Sequence, residues 1–112
     1  MASGREENPK LCEEAIHQFK TALRYDPARI YIYQFIGLVY EGMGNLEVAL
    51  RHHRLAVVQD PECPDYHESL GSVLKDLGRT DEALREFQMA ENLGGPGFVT
   101  DEWFEQRSKN VI

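Results

Sequence analysis

Cysteine is scarce in this chain. Cys12 and Cys63 are the two in 112 residues, and no CxxC pair occurs. Neither a disulfide framework nor a thiolate metal cage can be built from them, so reduced thiols and a cytoplasmic setting are expected. A long apolar run is also missing. The longest, IYIYQFIGLVY at residues 30–40, is far short of the roughly 20 residues that a spanning helix needs, and no membrane contact is expected. The opening MASGREENPK has no apolar core, so no secretory leader is expected either. Positive charge is in short supply: 12 Lys and Arg stand against 19 Asp and Glu, a formal net charge of -7 at pH 7. That balance repels phosphate backbones and leaves counterion release nothing to work with. Nucleic acid is therefore not an expected partner, whereas an acidic surface weakly favours basic ones.

With 42% hydrophobic and 28% charged residues, the composition is that of an ordinary globular domain. A chain of this length buries roughly two-thirds of its unfolded surface, enough for a modest core. Its order is periodic. GLVYEGMGNLEVALRHHRLAVVQDP from Gly37 aligns without gaps with GSVLKDLGRTDEALREFQMAENLGG from Gly71, 34 residues on. Gly44 falls on Gly78, Ala49-Leu50 on Ala83-Leu84 and Ala56 on Ala90. One step back, Ala15, Phe19, Ala22 and Asp26-Pro27 fall on Ala49, His53, Ala56 and Asp60-Pro61. Small residues at Gly37, Gly71, Ala49, Ala56, Ala83 and Ala90 allow antiparallel helices to approach closely. Gly44-Asn45 and Gly78-Arg79-Thr80 each read as a helix stop followed by a cap. Asp-Pro at 26–27 and 60–61 ends the helix before it. Helices are expected at about 9–25, 30–43, 46–59, 65–77 and 80–93.

In these residues the chain resembles the tetratricopeptide repeat (TPR) family, over about residues 9–97. The resemblance implies an all-α fold: a right-handed superhelical stack of helix-turn-helix repeats, an α-solenoid. The expected division is a disordered tail at 1–8, a half repeat at 9–29 opening on Asn8-Pro9, full repeats at 30–63 and 64–97, and a capping helix within 98–112. In that last segment Trp103 and Phe104 would cover the exposed end of the stack. At the other end helix 9–25 lacks a preceding partner, which marks Ile16, Phe19 and Leu23 as a possible self-association edge.

IYIYQFIGLVY lies on the first helix of the second hairpin in this register, although Ile30 to Tyr33 is rich in strand formers. Its counterpart, DYHESLGSVLK, is amphipathic. Tyr66, Leu70, Val73, Leu74 and Leu77 form the expected buried face; Asp65, Glu68, Ser69, Ser72, Lys75 and Asp76 form the solvated one. Shifted back one period, the solvated face becomes Tyr31, Gln34, Phe35, Leu38, Glu41 and Gly42. The resemblance makes this face the lining of a concave groove. The candidate site is thus Tyr31, Gln34, Phe35, Leu38, Glu41, Asp65, Glu68, Ser69, Ser72 and Lys75, apolar at one end and acidic at the other. Either the N-terminal helix folds over Tyr31 and Phe35, or a partner's apolar side chains do, or a second copy does.

Nothing in the chain looks catalytic. His52 and His53 are neighbours on a helix and point about 100° apart, so they do not chelate one ion. His53 stands where Phe19 and Phe87 stand in the other copies, and His67 aligns with Tyr33; both read as core substitutes. Gly42-Met43-Gly44-Asn45 follows a helix and has no Lys-Ser/Thr pair, so it is a turn and not a phosphate loop. Neither a metal nor any other cofactor is expected. The Lys/Asn/Arg clamp with which some family members hold chaperone C-termini has Gln34, Phe35, Leu38, Asp65 and Ser69 in its places. The expected function is a non-enzymatic protein-interaction module whose groove takes a peptide or helix with apolar and basic residues. The alternative is a self-associating piece, for example a homodimer, or part of a longer array completed at its N-terminal edge.

Overall fold

Five helices make up the computed structural model, which describes residues 9–94. They are α1 (Pro9–Tyr25), α2 (Tyr31–Gly42), α3 (Leu46–Gln59), α4 (Pro64–Asp76) and α5 (Thr80–Asn92). The expected tail at 1–8 and the capping helix within 98–112 lie outside the described residues. Among the described residues there is no strand. Ile30 takes helical angles (φ -60°, ψ -33°) and α2 starts at the next residue. The β-formers of the 30–40 stretch are overridden because Ile32, Ile36 and Gly37 are needed on one buried helical face.

Two kinds of joint separate the helices. After α2 and α4 the chain turns through Gly44 (φ 82°) and Gly78 (φ 83°), a left-handed conformation that glycine adopts without a Cβ penalty. After α1 and α3 the chain turns at Asp-Pro. Asp26 Oδ1 accepts a bond from the Ala28 amide at 3.2 Å, and Asp60 Oδ1 accepts one from Glu62 at 3.3 Å. The caps are less uniform than the sequence suggests. Asn45 Oδ1 accepts from the Val48 amide at 3.4 Å. The equivalent position before α5 is Arg79, and Thr80 is already the first helical residue. There the side chain makes an ion pair instead: Nε and Nη2 of Arg79 each donate to Glu82 at 3.2 Å.

Each hairpin closes on a glycine. A Cβ on Gly37 would stand 2.7 Å from the His53 ring, and one on Gly71 would stand 2.8 Å from the Phe87 ring. The hairpins α2–α3 and α4–α5 therefore share one contact, glycine under a flat ring, with fully buried Ala49, Ala56, Ala83 and Ala90 beside it. Helix α3 packs on α4, and α1 packs on α2. The core divides into two clusters. Leu50, Leu70, Val73, Leu74 and Phe87 form one; Ile16, Ile32 and Ile36 form the other, and Tyr40 touches both. Ile16 is buried against α2, and Phe19 and Leu23 are half-buried there. These three residues thus turn inward. The large apolar side chains that α1 leaves outside are Leu11 and Tyr25.

Candidate functional site

The inner faces of α2 and α4 bound a groove of about 670 Å³ lined by Gln34, Leu38, Glu41, Asp65, Glu68, Ser69, Ser72, Lys75 and Phe87. All of these except Phe87 carry the 34-residue pattern read from the sequence. They converge because positions four and seven apart on a helix fall on one face. Gln34 Nε2 donates to Ser69 Oγ at 2.6 Å and so ties α2 directly to α4.

Tyr31 and Phe35 lie beside the groove and do not line it. Phe35 faces Phe19 at a ring separation of 5.8 Å and meets Tyr31 edge-on at 5.6 Å. The N-terminal helix therefore covers part of the aromatic stretch. The cover is incomplete: Tyr31 remains 44% exposed, Phe35 41% and Leu38 46%. Leu38 belongs to both features and joins the aromatic cluster to the groove.

Glu68 departs from the expectation of a solvated carboxylate, since it is only 5% exposed. It occupies the side of α4 on which α2 and α5 close in, and burial of this kind depends on tertiary neighbours that periodicity does not encode. The nearby Tyr66 hydroxyl is pushed up from its ordinary pKa, chiefly by burial and also by the charges of Cys63, Asp60 and Asp65.

Two buried histidines bring carboxylates that the sequence reading did not connect with them. His53, with no exposed surface, places Nε2 2.6 Å from Glu41 Oε2, and Glu41 is on the groove wall. Its Nδ1 has no hydrogen-bond partner among the described residues. A carboxylate oxygen accepts, so in this bond Nε2 is the donor. His67 bonds the Pro61 carbonyl through Nε2 and Glu86 Oε1 through Nδ1, both at 2.7 Å, fastening the α3–α4 turn to α5. Both are core substitutes, as their register implies, but each also holds an acid. The available signal was a histidine at the Phe19/Phe87 position with a glutamate twelve residues before it. Among the described residues no group of three or more His, Cys, Asp or Glu side chains is arranged to hold a metal ion.

An all-α stack of helical hairpins with a concave inner face defines a helical-repeat protein. No family model and no curated protein matches the chain; the likeness is carried by solved structures. The Sgt2 TPR domain from Aspergillus fumigatus aligns over 94% of this chain and 72% of its own, at TM-score 0.75 and 23% identity. The second TPR of Spaghetti (RPAP3), bound to the HSP90 peptide SRMEEVD, aligns over 80% of this chain and 82% of its own, at TM-score 0.68 and 21% identity. A crystal structure of MamA aligns over 74% of this chain at TM-score 0.69 and 24% identity, and this chain spans about half (48%) of that one. The fold is the tetratricopeptide-repeat fold, as the resemblance in the sequence implied. Among the described residues no helix is long and apolar enough to cross a membrane.

Proposed function

We propose that this chain is a non-enzymatic protein-interaction module that holds a peptide or helix of a partner protein along its concave face. The observation that carries this reading is the exposed strip Tyr31, Phe35 and Leu38, which runs directly into the groove. Aromatic and leucine side chains left in water beside a polar, acidic concavity are the usual anatomy of an anchor site with a charged surround. The partner segment sets apolar side chains against the strip and a basic residue against the carboxylates of the groove. The peptide seen on the RPAP3 domain, SRMEEVD, has three acidic residues. Glu41, Asp65 and Glu68 disfavour that class of ligand here.

Selection from a displayed library of random twelve-residue peptides tests the reading. Peptides enriched on the wild type are expected to lose binding to Phe35→Glu at least tenfold while its far-ultraviolet CD is unchanged. Enriched peptides that bind Phe35→Glu equally well would rule this face out.

The second reading, a self-associating piece or part of a longer array, is favoured by one observation: this chain spans about half the length of the MamA structure. Phe19→Asp is an ambiguous test because Phe19 packs on Phe35. Tyr25, 86% exposed on α1, is the better site. If the reading holds, light scattering gives a dimer that Tyr25→Asp converts to monomer. A wild-type monomer at high concentration removes the self-association.

A further inference from the structure

We infer that Glu41 is the cation-recognising group of the groove, that His53 is its positioning residue from within the core, and that the guest carries a lysine or arginine side chain there. This rests on the groove-binding reading above and specifies its chemistry.

Three carboxylates line the groove, and they are not equivalent. Asp65 is exposed in the first turn of α4, and a solvated carboxylate with free rotamers gains little from an ion pair. Glu68 is almost wholly shielded. Glu41 combines access with fixation: its side chain is 23% exposed, and one oxygen is held at 2.6 Å by a ring with no exposure at all. The ring is closely packed, filling the space that Gly37 leaves by having no Cβ. A carboxylate has about four acceptor sites, so one bond to His53 leaves Oε1 able to accept from a guest. Holding the acid in advance removes rotamer entropy that would otherwise be lost on binding, and half-burial keeps the interaction from full solvent screening. The groove's own lysine, Lys75, makes no ion pair with Glu41 among the described residues.

The repeat supplies an internal control. One period later, Lys75 replaces Glu41 and Phe87 replaces His53. The hairpin closes with the same geometry on a phenyl ring, 2.8 Å from the absent Cβ of Gly71. An aromatic ring at this position therefore suffices for packing. The imidazole coincides with the acid it serves and is absent where the groove residue is a cation.

The test uses the full chain and the displayed twelve-residue library. Peptides enriched on the wild type are expected to carry Lys or Arg at a fixed spacing from an apolar anchor. Exchanging that base for norleucine should weaken binding to the wild type about tenfold and leave binding to Glu41→Gln nearly unchanged. His53→Phe should bind the same peptides about fivefold more weakly while melting no lower than wild type, because it removes a buried ring nitrogen that has no partner. His53→Gln, which keeps a donor, should recover part of the affinity. Enrichment of peptides without a base, or an equal effect of the base on Glu41→Gln, overturns the assignment of Glu41. Unaltered binding to a folded His53→Phe overturns the role of His53; if that variant does not fold, the Glu41→Gln comparison still decides for Glu41. If no peptide is enriched, or all survive Phe35→Glu, the groove reading itself fails.

Discussion

Alanine at position 37 would carry a methyl carbon 2.7 Å from the His53 ring, whose Nε2 is held by Glu41. Relief of glycine's backbone entropy in a helix is worth about 0.5–1 kcal/mol, whereas overpacking a closed site costs about 1–3 kcal/mol. Overpacking wins, so Gly37→Ala should lose about 1–2 kcal/mol in urea denaturation, and little of that loss should remain in a His53→Ala background. Equal losses in both backgrounds would remove the ring as the cause. His52, the neighbour of His53, gives a pH signature. Its ring stacks on Tyr40 at 5.5 Å, and its Nδ1–H donates to the Val48 carbonyl. Burial lowers its pKa from the ordinary 6.5 despite that bond, and Lys20, His53 and Arg51 add to the effect. A histidine whose folded pKa is depressed takes up fewer protons folded than unfolded, so stability rises with pH. Its contribution is present above pH 6.5 and is lost as the pH falls toward the lower folded value. Thermal melts from pH 7.5 to 5 should therefore fall less steeply for His52→Gln than for wild type; parallel curves would refute this.

Helix ends separate into strong and weak ones. Asn45 caps α3 through its side chain, while α5 starts on Arg79 without such a bond. Asn45→Ala should cost about 0.5–1 kcal/mol, the low end of the usual range because the bond is 3.4 Å long. Thr80→Ala should be close to neutral, and Arg79→Ala should cost no more than an exposed ion pair, about 0.5 kcal/mol. Guanidinium-chloride titrations of the three variants would rank them. At this scale most of the molecule was legible in the sequence, because Gly44, Gly78 and the two Asp-Pro steps act locally and repeat. The placing of Gln34, Leu38, Glu41, Asp65, Ser69, Ser72 and Lys75 around one hollow follows the same period, whereas Tyr31 and Phe35 fall beside it. The burial of Glu68, the contribution of Phe87 and the two His–Glu pairs were not legible. Each joins residues on different helices, and what a side chain meets across a hairpin is decided by packing and not by period.

Stacked hairpins exchange most of their contacts with neighbours, so stability is distributed along the stack. Here α4 packs on α3 and α5 and also meets α2, while α1 packs chiefly on α2. Amide hydrogen exchange should show α1 losing protection first and the Leu70, Val73 and Leu74 amides last. A single protection level across all five helices would contradict the division into two clusters. The bond between Gln34 and Ser69 runs across this architecture, from one hairpin to the next, on the floor where a guest would lie. It is a tie-rod between the two walls of the hollow. Under the proposed groove reading, a guest that hydrogen-bonds the serine hydroxyl competes with the one side-chain amide that fastens wall to wall.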